Sequence, residues 1–260
     1  MIRTITATRY LTPLREGGSL PAIVEGDDGQ LYVLKFRGAG QGQKALIAEL
    51  VVGEIGRLLG LPVPEIVLVE LDEAFGRNEP HEEIQDLLRA SAGLNLALAY
   101  IPGALAFEPL LAPASALAQA SAIVWFDAYS TNGDRTPRNT NLLVKDQQLW
   151  LIDHGAALFV HHAWGDYMAR SRSRFPQIKD HVLLRHAGDL AGADARLSRL
   201  LTPDALGRIV DLIPASWLDG EPRFASQAEH RAAYVDYLLG RLAAPRAFVE
   251  EAVHARAQLV

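Results

Sequence analysis

No cysteine occurs among the 260 residues, so disulfide frameworks, thiolate metal sites and thiol nucleophiles are excluded together, and a reducing compartment suits the chain. No apolar run comes near the ~18 residues that a membrane-crossing helix needs. The opening MIRTITATRYLTPLREGG also lacks an unbroken apolar stretch of signal-peptide length, and the expected location is the cytoplasm. Basic residues are in deficit: 25 Lys and Arg face 31 Asp and Glu, and the net charge of −6 argues against a surface built for nucleic acid. Internal repeats and low-complexity tracts are missing, which removes solenoids and disordered linkers. What remains is an ordinary soluble globular composition, long enough for a sizeable core in one large domain or two packed lobes.

Strand signals dominate the first part. GGSLPAIVEGDDGQLYVLKF reads as a hairpin, with Ala22-Ile23-Val24 and Leu31-Tyr32-Val33-Leu34 joined through Asp-Asp-Gly. A proline-free amphipathic stretch from Gln43 to Leu59 predicts a helix that stops at Gly60, with Pro62 and Pro64 beyond. EIVLVEL and LNLALAY predict two more strands around a polar helical insert at residues 79–91. The most apolar window, residues 94–107, is cut by Asn95, Pro102 and Gly103 and suits a buried strand running into a turn. From Pro109 the pattern turns helical, first over LAPASALAQASAIVWFDAYS and later from Ile178 to the end. Two short strands interrupt it, NLLV and LWLID, joined by the hairpin-like KDQQ. The expectation is a small, mainly antiparallel sheet with one prominent helix, then a helical lobe, with a ligand site at the seam.

At that seam lies NGDRTPRNTNLLV, residues 132–144. Its turn formers fit a plain surface loop. Asp134 and Asn139 stand five apart, however, and Asp153 follows nineteen residues after Asp134, at the end of an apolar strand and before His154-Gly155. Phosphoryl transfer needs a carboxylate to orient or deprotonate the attacking hydroxyl, and oxygen ligands to hold Mg²⁺ against the phosphates. Asp134 can do the first, and Asn139 with Asp153 the second, since magnesium takes few hard oxygens beside phosphate and water.

NGDRTPRNTNLLV followed by LWLIDHGAAL resembles the catalytic loop and metal-binding segment of the HipA-like kinases, a branch of the protein-kinase-like fold with distant similarity to phosphoinositide lipid kinases. GGS, YVLKF, AELVVGEIGRLLGLPVPE and AYIPG follow the family's order, so the resemblance spans about residues 15–165. It implies an α+β, two-lobed fold in a single domain over residues 1–260. An antiparallel-sheet amino-terminal lobe would cover about residues 1–100, and a mainly helical lobe about 104–260. It also implies an ATP-dependent phosphotransferase using Mg²⁺, with serine or threonine on a protein as acceptor. A pseudokinase that binds nucleotide without turnover, and a kinase for a lipid or small molecule, are the alternatives.

By the same resemblance Asp134 is the catalytic carboxylate, Asn139 and Asp153 are the magnesium ligands, and Lys35 holds the nucleotide phosphates. The bland readings are a snorkelling edge lysine for Lys35 and a strand-end turn former for Asp153. The acid that pairs with Lys35 is Glu49 by resemblance, although the helical wheel places Glu54 in the apolar arc. Gly17, Gly18 and Ser19 form either a flexible turn or a phosphate cradle. Ser19 is a candidate autophosphorylation site there, and Ser171 or Ser173 in SRSRF the competing one. Tyr100 and Ile101 would bond adenine through their backbone, or simply end a strand. Arg135 is read as bracing the loop and Asp127 as capping or bonding the loop backbone. His161-His162, read as adjacent on a strand, would face opposite ways, which disfavours a shared metal. Many relatives place His after the Asp-Arg pair; Thr136-Pro137 stands here, which leaves the substrate class open. Longer relatives often pair with a DNA-binding antitoxin, but this chain begins only about fifteen residues before the phosphate loop, so neither that partner nor a toxin role is carried over from the resemblance.

Overall fold

In the computed structural model, which describes residues 2–14, 20–40, 42–75, 79–111 and 114–259, five strands close on themselves. They are β1 (Arg3–Pro13), β2 (Ala22–Gly26), β3 (Leu31–Lys35), β4 (Ile66–Leu71) and β5 (Gly93–Ala99), in the order β1-β2-β3-β5-β4. Gly17, Gly18 and Ser19 lie outside the described residues, so the structure gives no account of the phosphate-cradle reading.

The sheet is mainly antiparallel as expected, with four antiparallel pairings, and its closure through one parallel pairing was not foreseen. β1, which was not foreseen as a strand, pairs parallel to β4 from Arg3 opposite Val67 to Thr6 opposite Glu70, and its second half pairs antiparallel to β2. Register shifts at Ala7/Arg9 and Tyr10/Thr12 lie where β1 pairs with β2, and bulges of this kind add bend and twist. Period-two alternation then sorts the side chains. Ile5, Ala7, Ala22, Val24, Tyr32, Leu34, Val67, Val69 and Ala97 fill the inside of the barrel, while Ile66, Leu68, Leu96 and Leu98 face outward into a second, larger core. Lys35 follows inward-facing Leu34 and pairs in register with Leu96, so it is directed out of the barrel.

The helix α1 (Gly42–Leu58) meets that outer face. Two glycines set the approach: a Cβ on Gly53 would collide with Ile66 Cδ1, and one on Gly56 would stand 2.9 Å from Val63 Cγ2. The β2–β3 turn uses Gly29 at φ 74° as Asp-Asp-Gly implied, and the expected polar insert is α2 (Glu82–Ala90).

The large core continues without a break into the helical part. α3 (Ala120–Ser130) is buried on every side, as a helix apolar all round must be. It is shorter than the helix expected over 111–130, because a 3₁₀ turn at Ala116–Gln119 precedes it. β6 (Leu105–Ala106), β7 (Leu142–Lys145) and β8 (Gln148–Leu151) make a small antiparallel sheet. Asp146 and Gln147, both at positive φ, form the tight β7–β8 turn. Then come α4 (Tyr167–Ser171), α5 (Leu190–Leu197), α6 (Pro203–Val210), α7 (Gln227–Leu242) and α8 (Ala247–Ala257). His161 and His162 sit in a 3₁₀ turn and not on a strand, because Leu158 at φ 52° breaks the extended path. His161 is buried with its Nδ1 at 3.1 Å from Tyr234 Oη, and His162 is exposed.

Candidate active site

Three stretches of backbone bring the candidate residues together, and each is shaped by a local constraint. α3 ends on Thr131 in the left-handed region, with the Asn132 N–H returning to Asp127 O at 2.9 Å. The loop then folds back at Pro137-Arg138: Thr136 N–H donates to Asn139 O at 2.9 Å and Asn139 N–H to Thr136 O at 3.1 Å. The reversal carries the Asn139 side chain onto Asp134, where Nδ2 donates to Oδ2 at 2.8 Å. Asn141, at φ 47°, adds a second amide to the same oxygen at 3.1 Å. Asp134 Oδ2 is thus held twice, while Asn139 keeps its own Oδ1.

Beneath the loop is a buried charge web. Asp127 is fully buried and receives Arg135 Nε at 2.7 Å, His181 Nε2 at 2.9 Å and Asn132 Nδ2 at 3.0 Å. Burial pushes its carboxyl pKa up, but Arg135 and His181 outweigh that and hold it at about 2. The Asp127 carboxylate therefore bonds the side chains of Asn132, Arg135 and His181, while its carbonyl accepts the loop's Asn132 N–H. Arg135 spans the loop in turn, donating through Nη1 to Asn141 O and, at 3.4 Å, to Ile152 O.

Asp153 stands two residues past the end of β8, not at the strand's last position, and its φ of 58° turns it out of line. Lys35 Nζ reaches Asp153 Oδ1 at 2.5 Å and Glu49 Oε2 at 2.6 Å. Glu49 is fully buried on α1 and also accepts the His154 N–H at 2.9 Å, with His154 Nδ1 at 3.2 Å from Oε1. Burial alone would raise the Glu49 pKa; the Lys35 ammonium and the His154 contacts overcome it and bring it to about 2. Burial likewise opposes the Lys35 charge, yet Glu49 and Asp153 leave its pKa raised. Glu54 pairs instead with Arg57 at 3.2 Å, so the helical wheel misled and the family spacing did not.

The two clusters are tied by Asn141. Its side chain bonds Asp134, and its carbonyl accepts the Ile152 N–H at 3.1 Å, one residue before Asp153. Lys35, Glu49, Asp153, Asp134 and Asn139 therefore belong to one connected constellation. Tyr100 and Ile101 stand apart, lining a separate cavity of about 340 Å³ with Glu65, Lys145 and Trp150. The Tyr100 N–H donates to Leu31 O at 2.9 Å.

Sequence reasoning missed Asn141, Asn132, His154 and His181 as site residues. The first three sit inside the motifs that drew attention, and NTN offers two amides where one was weighed. His181 lies 54 residues from Asp127 with no local signal.

A cavity of about 500 Å³ opens beside Asp134, walled by Phe159, Arg170, Arg174, Phe175 and Tyr237. The family model described as HipA-like kinase matches residues 8–251 of this sequence. The chain belongs to the HipA-like kinase family. No curated protein matches it. Among solved structures, this HipA-like kinase is similar to the Helicobacter pylori proinflammatory kinase CtkA, with 14% identity and a TM-score of 0.59 over 100% of this chain and 99% of that one. Golgi casein kinase, solved with Mn/ADP bound, gives 12% identity and a TM-score of 0.50 over 98% of this chain and 73% of that one. At these identities the likeness is one of fold. Among the described residues no helix is long and apolar enough to cross a membrane, and no group of three or more His, Asp or Glu forms a metal cluster.

Proposed function

We propose that this HipA-like kinase transfers the terminal phosphoryl group of ATP to a serine or threonine hydroxyl of a protein. One observation supports the reading: a bonded path runs from Asp134 through Asn141 to Ile152, next to Asp153, whose carboxylate meets Lys35. Asp134, with Oδ2 fixed by two amides, orients the acceptor hydroxyl and takes its proton. Lys35, anchored by buried Glu49, meets the nucleotide phosphates with its charge already positioned.

Asn139 Oδ1 and the Asp153 carboxylate would hold Mg²⁺. They fit, because the Asn139 amide spends only its N–H on Asp134, and the Asp153 side chain is 41% exposed. Bound magnesium supplies charge neutralisation at the transferring phosphate. On this reading the barrel with α1 is an amino-terminal lobe of about residues 1–100 and the helical part a second lobe of one 1–260 domain. The Tyr100 carbonyl and Ile101 N–H serve adenine, while Gly17, Gly18 and Ser19 serve the phosphates.

Radiolabel transfer from ATP to protein acceptors and to the chain itself tests the reading. Asp134→Asn keeps shape but cannot accept the proton, so transfer should fall about 10²-fold or more with nucleotide affinity near normal. Transfer at the parent rate would refute the assignment.

A further inference from the structure

The cavity beside Asp134 bears charge of the opposite sign to the molecule. The chain carries −6 overall, yet this wall presents two guanidiniums, Arg170 and Arg174, against the single carboxylate of Asp134. Arg174 is ion-paired with Glu251, which does not line the cavity, and Arg170 makes no ion pair among the described residues. Arg170 Nη1 donates to the neutral Ala163 carbonyl, and Arg174 stands 3.6 Å from Glu251 with its own side chain 66% exposed. Arg172, Lys179 and Arg138 are exposed on the same segment or on the neighbouring loop. The segment itself is held in place from below: buried Arg241 donates to Ser173 O at 2.9 Å and Ala128 O at 2.6 Å, which fixes the backbone between Arg172 and Arg174.

We infer that this cavity selects acidic protein segments, seating an aspartate, glutamate or phosphorylated side chain of the substrate on Arg174 and Arg170 while a neighbouring hydroxyl meets Asp134. Guanidinium forks match carboxylate and phosphate bidentately. The Asp134 charge repels an anion at its own position, so the anion is a neighbour of the acceptor and not the acceptor itself. Phe159, which is 65% exposed, gives apolar surface on which the rest of a peptide packs. A peptide is favoured over an anionic bilayer, because a net −6 repels such a surface and the cations lie within a concavity.

The inference rests on the kinase reading, and two arms keep them separable. In the first, the full chain with Mg·ATP is given peptides that differ only in the residues flanking one serine: Asp and Glu, Ala, or Lys. The acidic peptide should exceed the neutral one in kcat/KM by about tenfold. That ratio should collapse in Arg174→Ala, and Arg174→Glu should favour the lysine peptide. In the second arm, fluorescence anisotropy without nucleotide follows binding of the acidic peptide, which should weaken by a similar factor in Arg174→Glu. A parent preference for lysine or alanine flanks, an unchanged acidic preference in Arg174→Glu, or transfer to phosphatidylinositol vesicles in place of peptides overturns the inference and leaves the kinase standing. If no acceptor takes phosphate, the kinase reading falls, and the anisotropy arm alone judges the cavity.

Discussion

Glu49→Gln removes one charge from the Lys35 cluster while keeping the side chain's shape, and its cost follows from linkage. The unfolded carboxyl titrates near 4.5 and the folded one at about 2. Between these values the unfolded chain binds the extra proton, so stability rises with pH through the window and is fully present above it. The gap converts to about 3 kcal/mol at neutral pH. Breaking a buried pair by removing one partner falls in the same range, about 3–5 kcal/mol. The glutamine keeps an acceptor for the His154 N–H, and Lys35 keeps Asp153, so the lower end is expected. Urea denaturation of parent and variant across the acid range is the assay. The difference should be about 3 kcal/mol at neutral pH and should shrink toward zero as pH falls from 4.5 to about 2, where the parent loses the same charge. A neutral-pH difference below about 0.5 kcal/mol, or one that persists unchanged into acid, would refute the reasoning.

Three further outcomes are expected. Asp153→Ala should lower Mg·ATP affinity by about tenfold or more in calorimetry while the fold persists, since that side chain is 41% exposed. Arg241→Ala should destabilise the chain by about 3 kcal/mol in urea titration, because Ala128 O, Tyr129 O and Ser173 O all lose their donor. It should also make the segment around Ser173 a site of early proteolysis. Gly53→Val should cost about 1–3 kcal/mol in thermal or urea unfolding by forcing α1 away from Ile66; an unchanged midpoint would mean the helix has room to retreat.

Much of the architecture was legible because its signals are local. The Asp-Asp-Gly hairpin, the proline-free run before Gly60 and the apolar runs of β4 and β5 each carry their own periodicity or punctuation. β1 was not, because its inner face offers only Ile5 and Ala7 while Thr4, Thr6 and Thr8 look outward, and its parallel partner lies about sixty residues away. Candidate residues grouped within a motif were easy to name, and the Lys35–Glu49 pair emerged once spacing was weighed above the helical wheel. What a string of letters does not carry is the consumption of a backbone group, as at the Tyr100 N–H, or a partnership across the chain, as between Asp127 and His181. The basic wall was hidden for a similar reason: SRSRF drew attention for its serines, and only the fold places Arg174 on the same cavity as Asp134.

Closure of the barrel by β1 has a consequence for how the first part of this kinase can be approached by other chains. Among the described residues β2, β3, β4 and β5 each pair with a neighbour on both sides, so regulators that act by adding a strand find no free edge on these four. That protection depends on a single strand. Releasing Arg3–Pro13 would uncover the flank of β2 and the flank of β4 together, turning a closed cylinder into an open sheet with two adhesive borders, prone to self-association before any loss at the constellation around Asp134 is felt.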